Sequence, residues 1–257
     1  MKLLYSNIIG KGSPILVFHG LFGNGSNWIS FSRNFSNEYQ IHLIDIRNHG
    51  YSFYSDNMNY NIMSEDVINY IKHYNLVNPI LLGHSIGGRI VMNFSFKYPF
   101  IPIKIIIVDI TNKAYTTKEN NFISILKNID FSLIKKRSDF NIYLKKFIHE
   151  KKIISFFSKC VGVNNNGKLY FRFYLYGIEK NYDILIKKRM ELKKEYNGLT
   201  LFLKGENSNY ISYNDYKYMN FFFPKSMFVT IKNAGHWIHI DNPIDFYKEI
   251  RFFLKKK

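Results

Sequence analysis

The chain has 257 residues, 46% of them apolar and 18% aromatic, which suits one large domain with its own core and excludes a disordered polymer. A formal charge of +17 admits nucleic acid, anionic membranes or acidic carriers as partners, but the lysines are spread along the chain. The clusters are short, such as those at 135–137 and 255–257, and no nucleic-acid motif accompanies them, so a solvated surface is the favoured reading.

A single cysteine, Cys160, rules out an intrachain disulfide framework, and no apolar run approaches the ~18 residues of a membrane span. The first ten residues lack a small-residue cleavage site and read as a strand. A cytoplasmic protein with no stable membrane association is therefore expected.

Pro14-Ile15-Leu16-Val17-Phe18 is a compact apolar run ending in His19-Gly20, the pattern of a parallel strand buried on both faces. Ile41-His42-Leu43-Ile44-Asp45 is another, followed by the polar turn Arg47-Asn48-His49-Gly50. Between 61 and 75, Met63, Val67, Tyr70, Ile71 and Tyr74 recur at three- and four-residue steps opposite Glu65, Asp66, Asn69 and Lys72, which predicts an amphipathic helix. The apolar run 79–82 leads into Gly83-His84-Ser85-Ile86-Gly87-Gly88. A helical pattern then continues through Ile90, Phe94 and Tyr98 to a stop at Pro99. Residues 103–110 form the most hydrophobic predicted strand, which ends at Asp109.

From 111 to 197 no clear strand is expected; lysine-rich helical stretches carry many phenylalanines and tyrosines. Strand signals resume at 199–203 and 226–231, and a last helix starts near Pro243, whose missing N–H suits a first turn. The pattern predicts an α/β fold: a mostly parallel sheet flanked by helices. Its core would comprise 1–110 and 198–257, with 111–197 inserted as a helical lid.

A serine between glycines, directly after a buried strand and before a helix, suits a sharp turn that projects its Oγ above the sheet. Side chains at 83 or 87 would collide with neighbouring backbone there. Ser85 is thus the candidate nucleophile. A serine hydroxyl needs a base, and His236, in Asn233-Ala234-Gly235-His236-Trp237 after the last strand, is placed to supply one. The acid that orients this histidine is less direct. Three residues after Gly205 stands Ser208, which cannot act as a carboxylate. Asp109 is the leading candidate, with Glu206, Asp215 and Asp241 as alternatives and Ser208 as a supporting hydrogen-bond partner. The oxyanion donors would be the N–H groups of Leu21 and Ile86, and Phe22 and Trp237 would border the substrate pocket. The remaining histidines show no ligand spacing, Cys160 lacks a paired histidine and no phosphate-binding glycine motif is present. No metal and no cofactor are therefore expected.

Taken together, the segments His19-Gly20-Leu21-Phe22-Gly23 with Asn27-Trp28, Asp45-x-Arg47-Asn48-His49-Gly50-x-Ser52, Met58-Asn59-Tyr60, the serine turn, Val108-Asp109-Ile110, Asn207-Ser208-x-Tyr210 and Ala234-Gly235-His236-Trp237 resemble the YbfF-type bacterial acyl esterases. These are relatives of the eleventh abhydrolase-domain group, with the α/β-hydrolase fold. The match weakens only in the lid. It implies esterase and acyl-CoA thioesterase activity on a small acyl substrate, with Ser85, Asp109, His236 and Ser208 at the family's site positions. Two other readings compete: a carrier-protein methyl ester esterase of biotin synthesis, and a catalytically inactive binding protein of the same fold.

Overall fold

The computed structural model describes residues 2–115, 120–192 and 194–256; Lys257 of the basic tail lies outside them. In chain order the elements are β1 (Ser6–Ile9), β2 (Ser13–Phe18), α1 (Ile29–Phe35), β3 (Tyr39–Ile44), α2 (Tyr60–His73), β4 (Ile80–His84), α3 (Ile86–Lys97) and β5 (Lys104–Val108). Then come α4 (Asn120–Lys127), α5 (Arg137–Lys145), α6 (Lys151–Lys159), β6 (Val161–Val163), β7 (Leu169–Phe171) and α7 (Leu175–Tyr182). The chain closes with β8 (Leu199–Gly205), α8 (Tyr213–Phe222), β9 (Ser226–Ile231), α9 (Ile238–Asp241) and α10 (Pro243–Leu254).

Seven strands form one sheet in the order β1-β3-β2-β4-β5-β8-β9, parallel throughout except for β1 against β3. The expected mostly parallel sheet is present, and the apolar runs explain it. Successive side chains of a strand point to opposite faces, so a strand covered on both sides must be apolar at every position. Leu16, Phe18, Leu81, Ile105 and Ile107 enter the core shared with α2 and α3. Ile15, Val17, Leu82, Ile106 and Val108 enter the opposite core with Phe31 of α1 and Phe246 and Ile250 of α10. Each such side chain contributes roughly 1.5–3 kcal/mol when fully buried.

Between β5 and β8 the described residues form four α-helices, a π-helical turn at Asp183–Lys187 and one feature absent from the sequence reading, the hairpin β6–β7. Its strands are three residues long, too short to show alternation. Turn chemistry makes it instead: Asn164 Oδ1 accepts the N–H groups of Asn166 and Lys168, and Gly167 takes a left-handed φ of 72°. The helix α8 lies between β8 and β9 and continues the strand–helix alternation; Ser212 caps it by accepting the Asp215 N–H.

The two ends of the 111–197 segment run side by side. Tyr115 N–H donates to Ile186 O at 3.0 Å and Met190 N–H to Asn112 O at 2.8 Å. Arg89, on α3 and wholly buried, donates to the carbonyls of Thr111, Lys113 and Leu185. Further along, Gly50 N–H donates to Arg172 O and Tyr174 N–H to Asn48 O, which seats the segment on the turn after β3.

Candidate active site

Parallel strands bring their carboxyl ends to one rim, and the polar residues there come from the turns after β2, β4, β5, β8 and β9. Ser85 occupies the turn between β4 and α3 with φ 54° and ψ −125°, a left-handed strain that its surroundings must hold. Its N–H donates to Val108 O on the neighbouring strand. A Cβ at Gly83 would fall on the Gly87 carbonyl, and one at Gly87 on the carbonyl of Phe18, so both positions require glycine.

Asp109 stands one strand over, fully buried and also left-handed at φ 51°. A buried carboxylate must be saturated with donors, and this one is. Oδ1 accepts the Gly205 N–H at 3.1 Å, while Oδ2 accepts His236 Nδ1–H at 2.8 Å and the Ser208 hydroxyl. The carboxylate thereby fixes the His236 tautomer with its proton on Nδ1 and leaves Nε2 as an acceptor.

The imidazole is held from other sides too. The Tyr210 ring stacks on it at 3.7 Å between centroids and 17° between planes. The His84 ring lies 4.6 Å away, and His84 Nε2–H donates to the His236 carbonyl at 2.9 Å. Burial, reinforced by the neighbouring His236 and His239, pushes the His84 pKa well below its usual range, so His84 is neutral. Ser85 Oγ and His236 Nε2 share no hydrogen bond in this state. Such contacts commonly tighten only when substrate is bound.

The alternative carboxylates are engaged elsewhere. Glu206 accepts the Asn233 N–H, Asp215 pairs with Lys113 and caps α8, and Asp241 accepts the Gly235 N–H and pairs with Lys152. Ile86 is the first residue of α3, so its N–H has no carbonyl one turn earlier within the helix. Leu21 lies in the turn after β2, where Gly20 abuts Ser85 so closely that a Cβ there would meet Ser85 Cβ at 3.3 Å. Phe22 is packed between Phe157 and Phe173 of the 111–197 segment, and Trp237 meets Phe156, so both predicted pocket residues border an aromatic wall. Among the described residues no group of three or more His, Cys, Asp or Glu side chains is arranged to hold a metal ion. Sequence reasoning missed the Tyr210 stack and the Arg89 contacts. Tyr210 had a signal in Asn207-Ser208-x-Tyr210; a lone arginine in an elbow helix had none.

A serine turn and a histidine–carboxylate pair on the rim of a parallel sheet define an α/β hydrolase. The chain belongs to that family: residues 13–119 match its model, described as the alpha/beta hydrolase fold, and full-length relatives extend the match. An esterase/lipase homologue from Haemophilus influenzae is 35% identical over 250 residues, covering 95% of this chain and 84% of that protein. Esterase YbfF of Escherichia coli is 27% identical over 95% of this chain and 94% of its own, in keeping with the resemblance read from the motifs. A solved marine microorganism esterase superposes with a TM-score of 0.95 at 33% identity, over 98% of this chain and all of that one. Within the family, then, this chain is one of the ester hydrolases.

Proposed function

We propose that this protein hydrolyses carboxylic esters and acyl thioesters through an acyl-enzyme on Ser85. His236 Nε2 takes the Ser85 proton as Oγ attacks the acyl carbonyl carbon, and the carbonyl oxygen becomes an oxyanion facing the N–H groups of Leu21 and Ile86. Collapse breaks the bond to the leaving alcohol or thiol, which departs with the proton from His236. Water then attacks the acyl-enzyme, gives a proton to His236 and releases the carboxylic acid as Ser85 is reprotonated. Asp109 keeps the imidazole in the productive tautomer and offsets its transient charge. Ser208 supports Asp109 without touching the reacting atoms.

The observation that carries this reading is the saturated Asp109 carboxylate bonded to His236 Nδ1, beside a strained serine turn. An acyl chain suits the aromatic wall of Phe22, Phe156, Phe157 and Trp237. We place the activity in the cytoplasm, where the buried Cys160 thiol, its pKa driven up by burial, would stay inert.

A fluorophosphonate should label Ser85 stoichiometrically, and Ser85→Ala should lose both the label and at least ~10⁴-fold in kcat while keeping its fold. An unlabelled wild type, or an active Ser85→Ala enzyme, would end the proposal. Rates on a ladder of acyl lengths, presented as simple esters, acylglycerols and coenzyme A thioesters, then give the substrate class.

A further inference from the structure

Two turns meet behind the serine, residues 19–23 after β2 and 45–50 after β3, and each carries one buried histidine. The bonding between them is reciprocal. His19 Nε2 accepts the N–H of Ile46 at 3.1 Å, and His49 Nε2 accepts the N–H of Phe22 at 3.0 Å. Each ring donates its Nδ1–H to a carbonyl of its own turn, His19 to Gly20 O at 2.7 Å and His49 to Arg47 O at 2.9 Å. The rings meet edge to face at 5.1 Å. Both tautomers are therefore dictated, with the proton on Nδ1 and a lone pair on Nε2 aimed at the other turn.

The bonding in the 19–23 turn is selective. The Gly20 carbonyl takes His19 Nδ1–H and the Gly23 N–H, and the Phe22 N–H is taken by His49. Leu21, between them, is left with its N–H unclaimed by any acceptor among the described residues. Phe22 adopts φ 63°, a backbone conformation that side-chain-bearing residues rarely hold without restraint. The restraint traces outward: the Arg47 carbonyl that orients His49 belongs to a residue whose guanidinium is clamped by Asp66 of α2 through two 2.6 Å bonds and by Asn57 O at 2.7 Å.

We propose that His49, braced by His19, is the positioning residue of the oxyanion site: by holding Phe22 N–H it fixes the peptide that aims Leu21 N–H at the developing oxyanion. The inference rests on the reading of Leu21 as an oxyanion donor given above. His49 touches neither substrate nor Ser85; it acts through one backbone bond. Burial lowers the His49 pKa to about 4 and that of His19 well below its usual range, so both rings keep the lone pair the brace needs at neutral pH.

The test uses steady-state hydrolysis of a short p-nitrophenyl ester together with inhibition by a trifluoromethyl ketone, which forms a tetrahedral oxyanion on the serine. Removing an oxyanion donor outright costs ~10²–10³ in rate, so loosening one in His49→Phe should lower kcat by roughly 10–100-fold with KM within about threefold. Affinity for the ketone should fall by the same factor, since it reports transition-state binding. His49→Gln, which offers an acceptor and a donor at comparable reach, should recover most of the rate. His49→Asn, with the same groups on a shorter arm, should not. A folded His49→Phe enzyme with unchanged kcat, a kcat loss without loss of ketone affinity, or equal rates in the Gln and Asn variants would each overturn the proposal; the last comparison holds even if the Phe variant fails to fold. Ser85→Ala run in parallel separates the two levels. If it stays active, the underlying serine mechanism falls; if it is dead while His49→Phe is fully active, only the brace falls.

Discussion

The rim of the central sheet and the segment above it are held by different forces. Around Ser85 the fixed points are directional: backbone N–H groups, two imidazole acceptors and a carboxylate with three donors, all in positions where an unpaired polar atom costs ~1–3 kcal/mol. The 111–197 segment is held mainly by rings, among them Phe122, Phe156, Phe157, Phe171 and Phe173. It also carries nineteen of the 36 lysines and arginines against eight of the 19 acidic residues, so its apolar packing works against charge repulsion. Ring contacts tolerate sliding and the rim network does not. Such a division suits an ester hydrolase, in which the reacting atoms must be held to a fraction of an ångström while the surface meeting the rest of the substrate can be held more loosely.

The largest expected effect lies on the rigid side. Asp109→Asn should reduce kcat by ~10³–10⁴ through loss of the tautomer lock, while Glu206→Ala stays within about twofold. Parallel kinetics of the two variants check this, and the opposite ranking would transfer the acid role to Glu206. Acid should weaken the same side. His42 and His49 have pKa values lowered to about 4 and His239 to about 3, and His19 and His84 are also depressed, all chiefly by burial. The unfolded chain therefore binds more protons once pH falls below about 6.5, and folded-state stability drops from there toward pH 4 while changing little above pH 7. Between pH 7 and pH 5 the loss should be on the order of 2 kcal/mol for each histidine kept neutral in the fold, several kcal/mol in all, measurable by denaturant titration. Asp45 and Asp66, whose pKa values burial raises, offset part of it at the acid end. All five of these histidines lie outside the 111–197 segment.

Arg89 sits at the junction of the two regions. Arg89→Leu takes the guanidinium from the Thr111 and Lys113 carbonyls, while Leu185 O keeps the Tyr60 hydroxyl, and should cost roughly 2–3 kcal/mol, with proteolysis appearing first between 111 and 197. The smallest effect belongs to the yielding side. Phe156→Ala, which removes the Trp237 contact, should change KM for long acyl esters a few-fold and leave short esters nearly unaffected. A kcat loss with every substrate would instead tie Phe156 to the rim.

Much of the rim was legible because its chemistry is written in residue types. Doubly covered strands must be continuously apolar, as 14–18 and 103–110 are, and glycines at 83 and 87 mark backbone contacts that admit no Cβ. The pairing of Asp109 with His236 was legible by subtraction, since serine occupies 208 where a carboxylate was sought. The segment 111–197 read poorly for a physical reason. Its phenylalanines bury against one another in no fixed period, and its hairpin depends on the local bonds of Asn164 rather than on alternation. The Tyr210 stack and the Arg89 carbonyl cluster arise from distant pieces of chain meeting, which no local pattern announces.

The paired bonds joining 112 to 190 and 115 to 186, with one guanidinium gripping 111, 113 and 185, bring both crossings of the cover to a single post. Such a cover is modular. Cut beyond that post, it could be exchanged for another of different size and shape without disturbing the register of a single strand beneath, so new substrate ranges are reachable by transplantation while the chemistry underneath stays put.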